Sequence, residues 1–299
     1  MQLNRQQLIL LSFLTLAWGL NWPVMKLGVT DFAPLTFRAI SIWLGIPVLG
    51  LVMLLMKIPF FVPRDKYREL FWLACTNMFI WNVLIILAIK SLSSGRAAIL
   101  GYTMPIFSAL LGAWFFGARL KPRHWLGVLA AAVGVSLLLW HELTNLSGRP
   151  VGVLCALVAA AVWAFGTQRL RHTSIAAATL TLAFWMTVLT AVVLTVLGLA
   201  FEQAQWKAPS PQTWAAIAYN AVLIFGLAQP AWFTLARSLP PVASTLSVMM
   251  IPILGVFAGA VGLGEVLHWQ DWAAVVLMVA AIASVLAPGS FSRRPETGN

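Results

Sequence analysis

The chain has 299 residues, 61% of them hydrophobic and 9% charged, with a mean hydropathy of +0.90. A soluble domain would carry about 25% charged residues, so this composition excludes a water-soluble globular fold and points to lipid as the solvent. The formal net charge of +11 is then a matter of which side of a membrane each loop faces, and neither a nucleic-acid partner nor a cofactor is expected.

Apolar runs of helical length follow one another at 8–27, 35–56, 69–89, 96–117, 124–140, 151–170, 176–199, 212–235, 241–263 and 269–287. A membrane-spanning helix needs about 20 apolar residues. The runs are continuous rather than alternating, which predicts helices and not a β-barrel. The first follows Arg5 closely but is longer than a signal core and has no small-residue cleavage site after it, so it reads as an uncleaved span. Cys75 and Cys155 both fall inside apolar runs and read as buried thiols, not a disulfide framework.

Alternating the loops between two sides sorts the basic residues. The N-terminal side receives Arg5, Lys57, Arg64, Lys66, Arg68, Arg119, Lys121, Arg123, Arg169, Arg171, Arg237, Arg293 and Arg294; the other receives Lys26, Arg38, Lys90, Arg96, Arg149 and Lys207. Because basic loops stay in the cytoplasm, both termini are expected there, in a multi-pass protein of the cytoplasmic (inner) membrane.

The sequence repeats itself without gaps at an offset of 147. Lys90-Ser91-Leu92 matches Arg237-Ser238-Leu239, Pro105-Ile106 matches Pro252-Ile253, Gly112-Ala113 matches Gly259-Ala260, and Trp125 matches Trp272. Nearer the N-terminus an offset of 145 sets Trp18 on Trp163. The chain is therefore expected to consist of two related halves, 1–146 and 147–299. Five spans is an odd number, so the second half enters the membrane from the opposite side, an arrangement that suits alternating access. Loop charges agree: Arg119, Lys121 and Arg123 follow the fourth span, whereas Glu265 and Asp271 follow the ninth.

Trp18-Gly19-Leu20-Asn21-Trp22, Phe37-Arg38, Tyr102-Thr103-Met104-Pro105 and Gly264-Glu265, in this order across nearly the whole chain, resemble the drug/metabolite transporter superfamily in its ten-helix EamA branch. The sequence departs at Ala118, where the family often has Glu after the equivalent of Gly117. The resemblance implies an all-α membrane protein, with ten transmembrane helices as two inverted five-helix repeats around a central cavity. That cavity would be lined by helices 1, 3, 4, 6, 8 and 9. Known members move amino acids, other small metabolites, nucleotide sugars or drugs.

The most informative chemistry is an absence. Asp31, Asp65, Glu69, Glu142, Glu202, Glu265, Asp271 and Glu296, with His124, His141, His172 and His268, all fall in loops or at span ends. Intramembrane carboxylates and imidazoles mark proton relays and cation sites, so exchange of a proton for a cationic drug at a buried acid is disfavoured. A membrane enzyme would need a nucleophile beside a base, or a metal with its ligands, and neither constellation occurs. No ring of like charges suggests a channel.

What the spans offer is neutral polar groups among aromatics. Trp18, Asn21, Trp22 and Met25 share one face of the first helix; Trp163, Gly166, Thr167 and Leu170 form the repeat-equivalent face of the sixth. The third contributes Asn77, Trp81 and Asn82, with Asn82 matching Gln229 of the eighth; Tyr102, Thr103, Ser244, Thr245 and Ser247 precede the duplicated prolines. Each also has a plain packing or interfacial role available. Pro105 and Pro252 interrupt corresponding spans and are hinge candidates. Ser108 to Gly112 and Gly255 to Gly259 repeat a small-residue spacing that suits close helix contact in a monomer or weak dimer. Lys26, Arg38, Lys90 and Arg96 are expected at outer helix ends, snorkelling to headgroups, with Lys26 or Arg38 the candidates to meet a substrate carboxylate. The resulting expectation is an exporter of small amphipathic metabolites such as amino acids, with amine or drug efflux through aromatic–cation contacts as the alternative and a membrane-embedded enzyme or sensor as the reading from a different class.

Overall fold

Proline marks five helix starts, at Pro34, Pro122, Pro150, Pro211 and Pro241. Its fixed φ suits the first helical residue, and its missing N–H would have no partner there anyway. A computed structural model describes residues 5–116, 122–144, 150–232 and 241–286, and all regular structure among these residues is helical. In chain order the helices are α1 (Arg5–Thr30), α2 (Pro34–Leu55), α3 (Arg64–Ser91), α4 (Ser94–Gly101, continued as Met104–Phe116), α5 (Pro122–Thr144), α6 (Pro150–Arg171), α7 (Thr179–Phe201), α8 (Pro211–Trp232), α9 (Pro241–Leu263) and α10 (Trp269–Leu286). Six of these stretches, α2, α3, α4, α6, α7 and α8, are long and apolar enough to cross a membrane. Leu54, Leu55, Trp114, Phe115 and Val196 stand exposed on the outer faces. Water would penalise so much apolar surface, and lipid does not.

The main packing pairs are α5 with α10, α1 with α9, α2 with α7 and α8, α3 with α6, and α4 with α9 and α6. Advancing each label by five maps these contacts onto others in the same structure: α1–α9 becomes α6–α4, α2–α8 becomes α7–α3, and α3–α6 becomes α8–α1, all of which are in contact. Three pairs map onto themselves, and each runs antiparallel. In α2–α7, Thr36 meets Gly198 and Gly50 meets Phe184; in α4–α9, Gly95 meets Val256 and Ser94 meets Gly259; in α5–α10, Gly127 meets Ser284 and Gly134 meets Ala274.

Carboxylates tie these seams. Glu202 accepts hydrogen bonds from Leu35 N (2.9 Å), Thr36 N (2.7 Å) and Thr36 Oγ1 (2.8 Å), satisfying orphan donors at the start of α2. Glu265 does the same for α4, accepting from Ser94 N at 2.7 Å and Ser94 Oγ at 2.9 Å. Asp271, buried in the first turn of α10, pairs with Arg96 Nε at 2.7 Å and accepts from His268 N at 2.9 Å. At the opposite end Glu69 accepts from Thr173 Oγ1 (2.8 Å) and Ser174 N (2.9 Å) ahead of α7.

Two helices contain π turns, Cys75–Phe79 in α3 and Asn220–Ala228 in α8. The offset of 147 carries 75–79 onto 222–226, inside the second. Beneath the first, Gly166 of α6 comes so close that a Cβ would lie 2.7 Å from the Thr76 carbonyl.

The duplicated prolines behave differently. At Pro105 the helix is broken at Tyr102 and Thr103, and Thr103 Oγ1 donates to Leu100 O at 2.7 Å while its own carbonyl accepts from Ile106 N at 2.9 Å. Pro252 sits inside the continuous α9. The offset sets Met250 where α4 has Thr103, and a thioether side chain has no O–H to donate to a carbonyl that a break would expose.

Candidate functional site

The central cavity lies where α1, α2, α3, α4, α6 and α8 converge. It is narrow, about 80 Å³ being open to the centres of water-sized atoms, which is room for several waters or a small molecule. From α1 it receives Trp18, Asn21, Trp22 and Met25, a regular helical face at successive turns. Helix α3 presents Trp81, Asn82 and Ile85; α4 presents Tyr102 and Met104 from its break; α6 presents Trp163. Helix α8 contributes Ile224, Phe225, Gln229 and Trp232, and α2 contributes Arg38.

The aromatic lining is organised in pairs. Trp18 and Trp232 meet edge-to-face with ring centroids 5.4 Å apart, and Trp163 and Trp81 do so at 4.6 Å. One pair joins α1 to α8 and the other α6 to α3, and the sequence offset of 145 sets Trp18 on Trp163. Such geometry sets positive ring edges against negative faces and fixes the planes that a guest molecule would meet. Trp22 stands edge-on to Tyr102 at 6.1 Å. It lies between two glycines: a Cβ on Gly101 would come 2.8 Å from its ring and one on Gly255 would come 3.2 Å.

Among the amides, Asn82 Nδ2 donates to Met78 O at 2.7 Å and Gln229 Nε2 approaches Met78 Sδ at 3.6 Å, so both are steadied from the π turn of α3. Asn21 Oδ1 is buried with no hydrogen-bond partner. A buried acceptor in that state costs free energy that a donating ligand would recover.

Several sequence expectations move. Asn77 does not line the cavity: its Nδ2 donates to Leu73 O at 3.0 Å and Gly166 O at 3.1 Å, bridging α3 to α6. Lys26 is also elsewhere, donating to Ile89 O (2.9 Å) and Leu92 O (2.7 Å) at the end of α3, while Lys90 Nζ donates to Val29 O (2.6 Å) at the end of α1. The two lysines cap each other's helices, where the dipole favours positive charge. Arg96 is held by Asp271. Arg38, expected at an outer helix end, is only 2% exposed and enters the cavity wall. Neither Pro105, which follows the lining residue Met104, nor Pro252 lines the cavity. The side chains of Ser244, Thr245 and Ser247 lie outside the described residues, as do Gly117 and Ala118. Gly255 and Gly259 pack on Ala98 and Ser94 of α4, a close contact within the chain.

Sequence reasoning missed Asn220, Phe225 and Trp232. Asn220 is legible in retrospect as the one asparagine inside the apolar run 212–235, and its Oδ1 accepts from Arg38 Nη1 at 2.9 Å.

The model of the EamA-like transporter family matches the chain twice, over residues 6–140 and 150–287. Among its relatives is the uncharacterized transporter YoaV of Bacillus subtilis, 24% identical over 84% of this chain and 86% of its own. Another is the uncharacterized inner membrane transporter YedA of Escherichia coli K12, 25% identical over 91% and 88%. A protein of Salmonella typhimurium named as a probable amino-acid metabolite efflux pump is 26% identical over 94% of both chains. A solved crystal structure 18% identical in sequence superposes over 94% of this chain and 97% of its own with a TM-score of 0.68.

Proposed function

Because the chain belongs to the EamA-like transporter family, we propose that it is an alternating-access secondary transporter that exports small amphipathic metabolites, amino acids among them, across the cytoplasmic membrane. In this reading the helices α1 to α10 all cross the membrane, residues 1–146 and 147–299 form two repeats of opposite topology, and both termini are cytoplasmic. The antiparallel α2–α7, α4–α9 and α5–α10 pairs support the inverted arrangement, since equivalent helices related by an axis in the membrane plane must run in opposite directions.

The observation that carries the function is the cavity itself. Trp18, Trp22, Trp81 and Trp163 supply faces for an apolar or aromatic moiety, and Asn21, Asn82, Gln229 and Tyr102 supply donors and acceptors. Polar groups at this depth are expensive unless they meet protein, water or a ligand. Pro105, beside the break in α4, and Pro252 in α9 serve as hinges between states; Asn77 and Lys26 hold the scaffold. The relative named for amino-acid metabolite efflux is consistent with the substrate class. Purified protein in liposomes loaded with labelled amino acids should release one or more of them faster than protein-free vesicles. Equal rates for every amino acid would refute the substrate assignment.

A further inference from the structure

Arg38 is a buried cation without a counter-ion among the described residues. Its Nη1 donates to Asn220 Oδ1 at 2.9 Å, its Nη2 rests against Met25 Sδ, and its guanidinium carbon stands 5.5 Å from the Phe225 ring centroid. All three partners are neutral, and Nε is buried with no partner. The carboxylates at the helix ends are committed elsewhere. Glu202, which reaches α2 one turn earlier, spends its oxygens on Leu35 and Thr36; Asp271 holds Arg96; Glu265 caps α4; Glu69 holds Thr173 and Ser174. An arginine does not escape this by losing its proton, because it stays charged in proteins. A buried charge left unpaired is strongly unfavourable, and a residue that merely bridged α2 to α8 would need no charge.

We propose, resting on the transporter reading above, that Arg38 is the carboxylate-binding residue of the central cavity, that a carboxylate is therefore obligatory in the cargo, and that Asn220 is the positioning residue that aims the guanidinium. The planar fork of N–H groups matches a carboxylate in geometry as well as charge. Asn21, whose partnerless Oδ1 belongs to the same cavity, accepts a hydrogen bond from an amino or hydroxyl group on the cargo. The tryptophans take the apolar remainder. The recognised class is thus an amino or hydroxy acid with an apolar or aromatic side chain. An amine lacking the carboxylate would bring a second positive charge to an uncompensated first.

The test uses matched sets built on benzyl, indolyl and isobutyl skeletons, each set comprising amino acid, deaminated acid, amine and amino-acid amide. Binding is read as thermal stabilisation of the purified full-length protein, and transport as efflux from liposomes. The carboxylate-bearing members should bind and cross, and the amines and amides should bind about tenfold or more weakly. Arg38→Gln should abolish that preference and Arg38→Lys should retain part of it. Asn220→Asp supplies an internal counter-ion: carboxylate binding should fall by a similar factor while the melting temperature without ligand is unchanged or higher, which separates recognition from folding. Amines or amides binding as tightly as the acids, or carboxylate binding undiminished in both Arg38→Gln and Asn220→Asp, would overturn the proposal while leaving the transporter reading intact. If no member of any set binds or crosses, this proposal and the amino-acid substrate assignment fall together.

Discussion

Glu265, in the loop after α9, closes the N-terminus of α4 through Ser94: one carboxylate oxygen accepts from the Ser94 backbone N–H and the other from its hydroxyl. Glu265→Ala leaves both donors, and the nearby Gly95 N–H at 3.3 Å, without their acceptor. Losing hydrogen bonds to a charged acceptor at a partly buried cap costs about 2–3 kcal/mol. Thermal unfolding in detergent should show a lower melting temperature for Glu265→Ala and an intermediate one for Glu265→Gln, which keeps a single acceptor oxygen. Unchanged melting in both variants would remove this cap from the account.

Lys26 and Arg38 separate a structural cation from a recognising one. Lys26→Gln removes a charge from the carbonyl end of α3 and should reduce stability by about 1 kcal/mol. The order in which the variant prefers acids, amines and amides should stay that of the unmodified protein, in contrast to Arg38→Gln. The same ligand sets measured on both variants decide the point, and a reordered preference in Lys26→Gln would return that residue to the site.

Trp22 occupies a slot that two glycines leave open. In Gly101→Val the added carbons meet a rigid indole, and overpacking of this kind costs about 1–3 kcal/mol. The expected signature is a lower melting temperature together with weaker ligand stabilisation, because the displaced ring is part of the cavity wall. Gly50, where a Cβ would meet Phe184 only at 3.6 Å, is the control: Gly50→Ala should neither lower the melting temperature nor weaken ligand stabilisation, since alanine favours a helix interior over glycine.

The proposed opposite insertion of the two halves makes a geometric prediction about the loops. With Cys75 and Cys155 replaced by Ser, a membrane-impermeant maleimide should label Lys207→Cys in intact cells and should label Asp65→Cys only after the membrane is opened. Lys207 is exposed in the loop between α7 and α8, and the Asp65 side chain is 73% exposed ahead of the main body of α3. Labelling of both from the same side would refute the inverted topology.

How far the site is legible in the sequence depends on helix regularity. Trp18, Asn21 and Trp22 are legible because α1 is regular across them, so spacings of three and four residues translate directly into one face. Asn77 is not, because the π turn at Cys75–Phe79 widens the helix and shifts its phase relative to Trp81 and Asn82. Arg38 misleads for a different reason. Counting from the start of its apolar run places it near a helix end, and α2 does begin at Pro34, yet the long side chain runs inward toward Asn220. Trp232 sits near the end of its run, where a tryptophan ordinarily reads as an interfacial anchor; only its partner Trp18 reveals that it belongs to the cavity. The glycine and proline duplications mark where equivalent segments lie, but not that α4 breaks and α9 does not.

The carboxylate seams have a consequence for how the molecule comes into being. Glu202, Glu265 and Asp271 belong to the C-terminal part of the chain and serve helices of the N-terminal part, while Glu69 returns the service in the other direction. During synthesis the N-terminal part would therefore wait with the donors at the heads of α2 and α4 still unanswered. Each part carries acids that answer donors of the other. Two separately made fragments divided between residues 144 and 150 would complete these contacts only on meeting.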